Sequence, residues 1–246
     1  MGGADCFIVG IGHENRTYGT YKSYIQMKKS EVIERILQTG LIPVVRAESA
    51  DIAMRAIDAI REGGISVLEI TMTVPGAIRV IEEVAGRFGD DAIVGAGTVL
   101  DSETARACML AGAQFIVSPA LDLDTISCCR RYSVTVMPGA MTPSEVLTAW
   151  KSGADFVKVF PANAVGGPSY IKALKAPLPQ IQLVPTGGVS LKTAADFIKA
   201  GAAALGVGAD LVDTAALRAG DAAIVTSRAR QFIEIVRTAR DEMSTH

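Results

Sequence analysis

Lys158 stands in the middle of the run DFVKVFP, between Val157 and Val159, with Phe156 and Phe160 two residues away on either side. Burying an ammonium group is costly unless something compensates it. Two other apolar runs carry the same feature. Glu69 sits inside SVLEIT, and Arg46 ends LIPVVR. Side chains of an extended strand alternate between faces. Lys158 therefore shares a face with Phe156 and Phe160, and Glu69 shares one with Val67 and Thr71. Desolvation and a neighbouring cation favour a neutral amine. A neutral amine attacks a ketone to form a Schiff base, and a partly desolvated carboxylate moves protons as a general acid and base. Lysine plus glutamate thus suits aldol chemistry through an iminium, with Lys158 as nucleophile and Glu69 as proton shuttle. The plain alternative is a buried structural ion-pair network of Lys158 and Glu69 with Arg46.

Histidine is the most informative absence. The two histidines are His13, in an unpatterned N-terminal segment, and His246, the last residue. A histidine triad or a histidine-built metal site has no raw material in the body of the chain. The chemistry must use Lys, Arg, Glu, Asp, hydroxyls or backbone, with no metal and no cofactor expected. The four cysteines (Cys6, Cys108, Cys128 and Cys129) form no CxxC spacing, so reduced thiols in a cytoplasmic protein are expected.

Such side chains need a scaffold. Eight short apolar runs appear from residue 41: LIPVVR, SVLEIT, AIVGAG, QFIVSP, VTVMPG, DFVKVFP, IQLVPTGG and AALGVG. Amphipathic segments of helical length lie between them. In SADIAMRAIDAIREGG, Ser49 is placed to cap, Ile52, Ala53, Ala56, Ile57 and Ile60 form one stripe, and Gly63 and Gly64 end it. SETARACMLAGA and TPSEVLTAWKSGA repeat the design, and IVTSRARQFIEIVRTAR closes the chain with Val225, Ala229, Phe232 and Val236 aligned. Near-continuous apolar strands alternating with helices mean a parallel sheet covered by helices. Eight such units predict a (β/α)8 barrel over residues 27–246, with an N-terminal helix capped by Ser30 and ended by Gly40. The alternative, an open doubly wound sheet, lacks the GxGxxG expected after its first strand. Residues 1–26 read as a loosely ordered extension.

Composition agrees with one large domain: 246 residues, 49% hydrophobic, formal net charge −2. A mildly acidic chain argues against a broad nucleic-acid footprint, and no apolar run is long enough to span a bilayer. The glycine clusters suggest a different partner. PTGGV follows strand seven and GVGAD follows strand eight. In such barrels these loops often cradle a phosphate with backbone N–H groups, and Gly187, Gly188 and Gly208 let the backbone approach closely. GAGT after strand three adds the Thr98 hydroxyl to the same rim.

Taken in order and spacing, VVRA, LEIT, GAGTV, FIVSP, MPG, VKVFPA, PTGGV and GVGA resemble the class I 2-keto-3-deoxy-6-phosphogluconate (KDPG) / 2-keto-4-hydroxyglutarate (KHG) aldolases, over roughly residues 30–240. The resemblance implies a metal-independent homotrimer of (β/α)8 barrels that cleaves KDPG reversibly to pyruvate and glyceraldehyde 3-phosphate. It implies Lys158 as Schiff-base lysine and Glu69 as proton shuttle, with Thr98 and Pro119 around the pyruvyl group and Arg46 as a substrate-binding arginine. Two positions depart from the pattern. Thr73 stands where many relatives have arginine, and in those that share this form the arginine at the end of strand one takes its place. Ala209 stands where the last loop usually has serine, so one phosphate-binding hydroxyl is missing. Rival expectations are an aldolase for the galactonate epimer, for an unphosphorylated 2-keto-3-deoxy acid or for 4-hydroxy-2-oxoglutarate. A different class of rival is a phosphate-binding barrel without Schiff-base chemistry.

Overall fold

The computed structural model describes residues 27–244. The expected extension 1–26, with Cys6 and His13, lies outside the described residues, as does His246. Helix α1 (Lys29–Thr39) starts before Ser30, which corrects the expected cap. The Glu31 carboxylate reaches back to accept from the Lys28 N–H at 3.2 Å, which places the cap at Lys28, two residues earlier, and leaves Ser30 inside the helix. Gly40 ends α1 in the left-handed region, φ 65°.

Eight strands follow: β1 (Leu41–Val45), β2 (Val67–Thr71), β3 (Ile93–Gly97), β4 (Phe115–Val117), β5 (Thr135–Met137, resumed after Pro138 as Gly139–Ala140), β6 (Val157–Val159), β7 (Leu183–Pro185) and β8 (Leu205–Val207). Alternating with them are α2 (Ala50–Glu62), α3 (Ala77–Phe88), α4 (Ser102–Leu110), α5 (Leu123–Arg131), α6 (Pro143–Lys151), α7 (Pro168–Lys175) and α8 (Ala194–Lys199); α9 (Thr214–Arg218) and α10 (Ala223–Ser244) complete the chain. Each apolar run named above supplies one strand. All pairings are parallel, in the order β8–β1–β2–β3–β4–β5 and then β5–β6–β7. A parallel bridge from Thr186 to Gly206 brings β7 to β8 and closes the ring. An open sheet would end in two free edges, so the doubly wound alternative does not hold.

The helices form as their sequences require. Ser49 Oγ accepts from the Ile52 N–H at 3.2 Å, and Ile52, Ala53, Ala56, Ile57 and Ile60 are buried. On α10 the buried stripe includes Val225, Ala229, Phe232 and Val236. The short α9 escapes a reading by periodicity because five residues show barely more than one turn.

The apolar residues divide into two cores. Val157 and Val159 belong to the layer between strands and helices. Ile42, Val67, Ile93, Phe115, Val117, Met137, Phe156 and Val184 fill the barrel interior, joined there by Val32 and Ile36 of α1. Helix α1 is therefore a plug across the end where the strands begin. Arg240 of α10 holds it, donating to the carbonyls of Gln38 (2.8 Å) and Leu37 (2.7 Å), and Lys29 pairs with Asp155 at 2.9 Å. With that end sealed, the interior has an apolar, buried floor and opens where the strands finish. Among the described residues no helix is long and apolar enough to cross a membrane.

Candidate active site

Strand alternation carries the inward phase upward from the plug. On β6 it runs Phe156, Lys158, Phe160; on β2 it runs Val67, Glu69, Thr71. Register places Glu69 beside Val44 and Gly95, and Lys158 beside Gly139 and Val184. Strands two and six lie opposite each other in an eight-stranded ring, so the two side chains converge from opposite walls. Lys158 is 5% exposed and Glu69 is 2% exposed, so these two charged groups occupy the interior just above its apolar floor.

They do not form the ion-pair network that is the plain alternative. Among the described residues, neither side chain takes part in a salt bridge, and Glu69 Oε1 is buried without a hydrogen-bond partner. Lys158 Nζ lies 5.2 Å from the centre of the Phe160 ring, within cation–π range. Burial holds the Glu69 carboxyl above its ordinary range, and the charges of Lys158 and then Arg46 oppose that rise. A carboxyl poised this way can exchange a proton with a ligand placed between it and the amine.

Glycines make the room. A Cβ on Gly97 would overlap Glu69 Oε1, one on Gly95 the Phe115 ring, one on Gly139 the Pro119 carbonyl, and one on Gly206 Thr186 Oγ1. Gly97→Ala is accordingly expected to displace the Glu69 carboxylate. Overpacking should cost about 1–3 kcal/mol of stability, read by denaturant unfolding, and turnover should fall with it. Unchanged turnover would show that Gly97 does not set the position of Glu69.

Above the buried pair lies a cleft of about 550 Å³ lined by Val44, Arg46, Glu48, Phe160, Thr186, Gly187, Gly188, Gly206, Gly208, Ala209, Asp210 and Thr214 among others. It unites Arg46, Gly187, Gly188, Gly208 and Ala209, five residues expected from three separate stretches. Gly187 and Gly188 need their freedom, with φ 94° and 73°. Among the described residues the N–H groups of Gly188 and Ala209 donate no hydrogen bond, which suits an anion. Gly208 keeps open space where a Cβ would stand.

The remaining expected residues end other strands. Thr98 follows β3 at φ 56°. Pro119 follows β4, its carbonyl against Gly139. Thr73 is exposed above β2. Thr71 Oγ1 donates to the Val45 carbonyl at 3.2 Å and meets Thr73 Oγ1 at 2.7 Å. A hydroxyl has one proton, so Thr73 donates to Thr71 and turns only lone pairs to the mouth. Sequence reasoning passed over Thr186, Phe160 as a cleft wall, Glu48, Asp210 and Thr214. The inward phase of β6 and β7 could have found the first two; the others come from loops without a period. The buried cysteines are poor nucleophiles, since burial pushes Cys108 up to about 11 and Cys129 up to about 12.

Comparison with known proteins adds an independent line. The model of the KDPG and KHG aldolase family matches residues 32–228. The chain is similar to 2-dehydro-3-deoxy-6-phosphogalactonate aldolase of Escherichia coli (strain K12), 37% identical over 81% of this chain and 95% of that protein. It is also similar to the KHG/KDPG aldolase of the same strain, 34% identical over 82% of this chain and 94% of the relative. Among solved structures, the KDPG aldolase of Legionella pneumophila, crystallised with pyruvate captured as a covalent carbinolamine, aligns with a TM-score of 0.75 at 28% identity, covering 80% of this chain and 96% of that one.

Proposed function

The chain belongs to the KDPG and KHG aldolase family, and from that premise we propose that it is a Schiff-base aldolase that reversibly cleaves KDPG to pyruvate and glyceraldehyde 3-phosphate. The observation that carries this reading is the buried lysine–glutamate pair: Lys158 and Glu69 on opposite walls, with Glu69 Oε1 lacking a hydrogen-bond partner, beneath a cleft with free backbone N–H groups.

In the cleavage direction the Lys158 amine attacks the C2 ketone, and loss of water gives the iminium. Glu69 takes the proton of the C4 hydroxyl. The C3–C4 bond breaks, its electrons pass into the iminium to give an enamine, and the aldehyde leaves. Protonation at C3 and hydrolysis release pyruvate and free the amine. Thr98 and Pro119 flank the pyruvyl group, Arg46 and Thr73 meet the polar chain of the sugar acid, and Gly187, Gly188, Gly208 and Ala209 hold its phosphate. Assembly as a homotrimer is part of the same reading.

A second reading has its own support. The galactonate-epimer aldolase of E. coli is a 37% identical relative, and Thr73 stands where many family members have arginine. Initial rates of pyruvate release from KDPG, its C4 epimer, the unphosphorylated acid and 4-hydroxy-2-oxoglutarate decide between them. We expect the highest kcat/KM for KDPG. An epimer preferred by tenfold or more, about 1.4 kcal/mol of transition-state binding, would move the assignment to the second reading.

A further inference from the structure

The cleft wall carries one cation, Arg46, and two carboxylates, Glu48 and Asp210, among its described residues. That balance is poor for a substrate bearing a carboxylate and a phosphate. Glu48, however, is paired. Its Oε1 lies 3.3 Å from Nε of Arg218, which does not line the cleft but sits in the last turn of α9, the helix whose first residue, Thr214, does. Asp210 lies on the wall shared with the neighbouring groove, where Lys192 and Arg228 are found. The pair joins the loop after β1 to the segment after β8, across the mouth beside the free N–H groups of Gly188 and Ala209.

We infer that Arg218 is a specificity-determining residue that acts through Glu48: it masks the Glu48 charge and so lets an anionic distal group of the substrate enter the mouth. With the mask, the described charges on the wall and its partner cancel: Arg46 and Arg218 against Glu48 and Asp210. Without it the wall is net negative, and each approaching phosphate meets an uncompensated carboxylate. Glu48 is about half exposed, so water and salt screen the repulsion and the effect on binding is modest. Lys158 and Glu69 lie deeper, so the chemical steps are untouched. The inference rests on the aldolase reading of this site and adds the group that selects for charge at the far end of the substrate.

Steady-state kinetics on KDPG and on its unphosphorylated counterpart test it. Arg218→Ala should raise KM for the phosphorylated substrate about three- to tenfold at low salt, keep kcat, and leave KM for the unphosphorylated acid nearly unchanged. At about 1 M salt, where the Debye length is about 3 Å, the difference should vanish. Arg218→Lys should behave as wild type. The double variant Glu48→Gln with Arg218→Ala should recover, because the charge to be masked is gone. Equal KM changes for both substrates, no recovery in the double variant, or a wild type that treats both substrates alike would overturn the inference. Borohydride trapping of pyruvate by the wild-type enzyme separates the two levels. Loss of trapping sinks the aldolase reading, whereas trapping with an unaltered KM in Arg218→Ala sinks the masking role alone.

Discussion

Borohydride reduction in the presence of pyruvate is expected to fix one reduced pyruvyl group on the peptide that contains Lys158, and on no other. The reason is placement. Lys158 is the inward lysine of β6, 5% exposed, with its amine over the Phe160 ring and the cleft directly above. An amine at that depth meets a ketone in an environment from which bulk water is largely excluded, where the carbinolamine can lose water rather than revert. Lys158→Met should abolish both trapping and turnover. Methionine fills nearly the same volume, so the variant leaves no cavity and should stay folded; circular dichroism and the unfolding midpoint check this. A folded Lys158→Met protein that still traps pyruvate, or still turns over, would remove the lysine from the mechanism.

Glu69→Gln should lower kcat by about 10²–10⁴-fold, the usual worth of a general acid–base group. Trapping of pyruvate should survive, because the amine remains. The pH profile gives a second test. Burial raises the Glu69 carboxyl above its ordinary range against the opposing charges of Lys158 and Arg46. A base must be ionised to accept a proton. Activity of the wild type should therefore fall as pH drops through that raised value, with its acidic limb above the usual glutamate value of about 4.3. The limb should disappear in Glu69→Gln. A variant within threefold of wild type in kcat, or one that keeps the limb, would assign the proton transfer to another group.

Much of the molecule was legible along the chain. The eight apolar runs fall on the eight strands, since alternation and helical period are local properties. The same locality put Lys158 and Glu69 on inward phases and set Val157 and Val159 toward the helices. Gly187, Gly188 and Gly208 could be placed at the mouth because their loops follow strands seven and eight. The start of α1 falls two residues before Ser30 because the Glu31 carboxylate accepts from the Lys28 N–H and closes a cap there without a hydroxyl.

What the tertiary structure alone decided is whatever depends on distance across the ring. Ring closure rests on the bridge between Thr186 and Gly206 and on the hydrogen bond from the Ala203 N–H to the Leu183 carbonyl at 2.9 Å, and no period announces either. Helix α1 as a plug follows from Val32 and Ile36 joining the interior core, and that seal helps to keep the two inward ionisable groups buried. From sequence, a structural ion pair between Lys158 and Glu69 stays open as the plain alternative to a catalytic pair. Only their placement on opposite walls, with Glu69 Oε1 unpaired and Gly97 yielding the space, distinguishes the cases. Glu48 and Arg218, far apart in the chain, meet because closure sets the loop after the first strand beside the segment after the last. Side-chain phase is set by the covalent chain and the pleat of each strand. Burial, pairing and the shape of the mouth arise from contacts between residues far apart in sequence, which exist only once the barrel has closed.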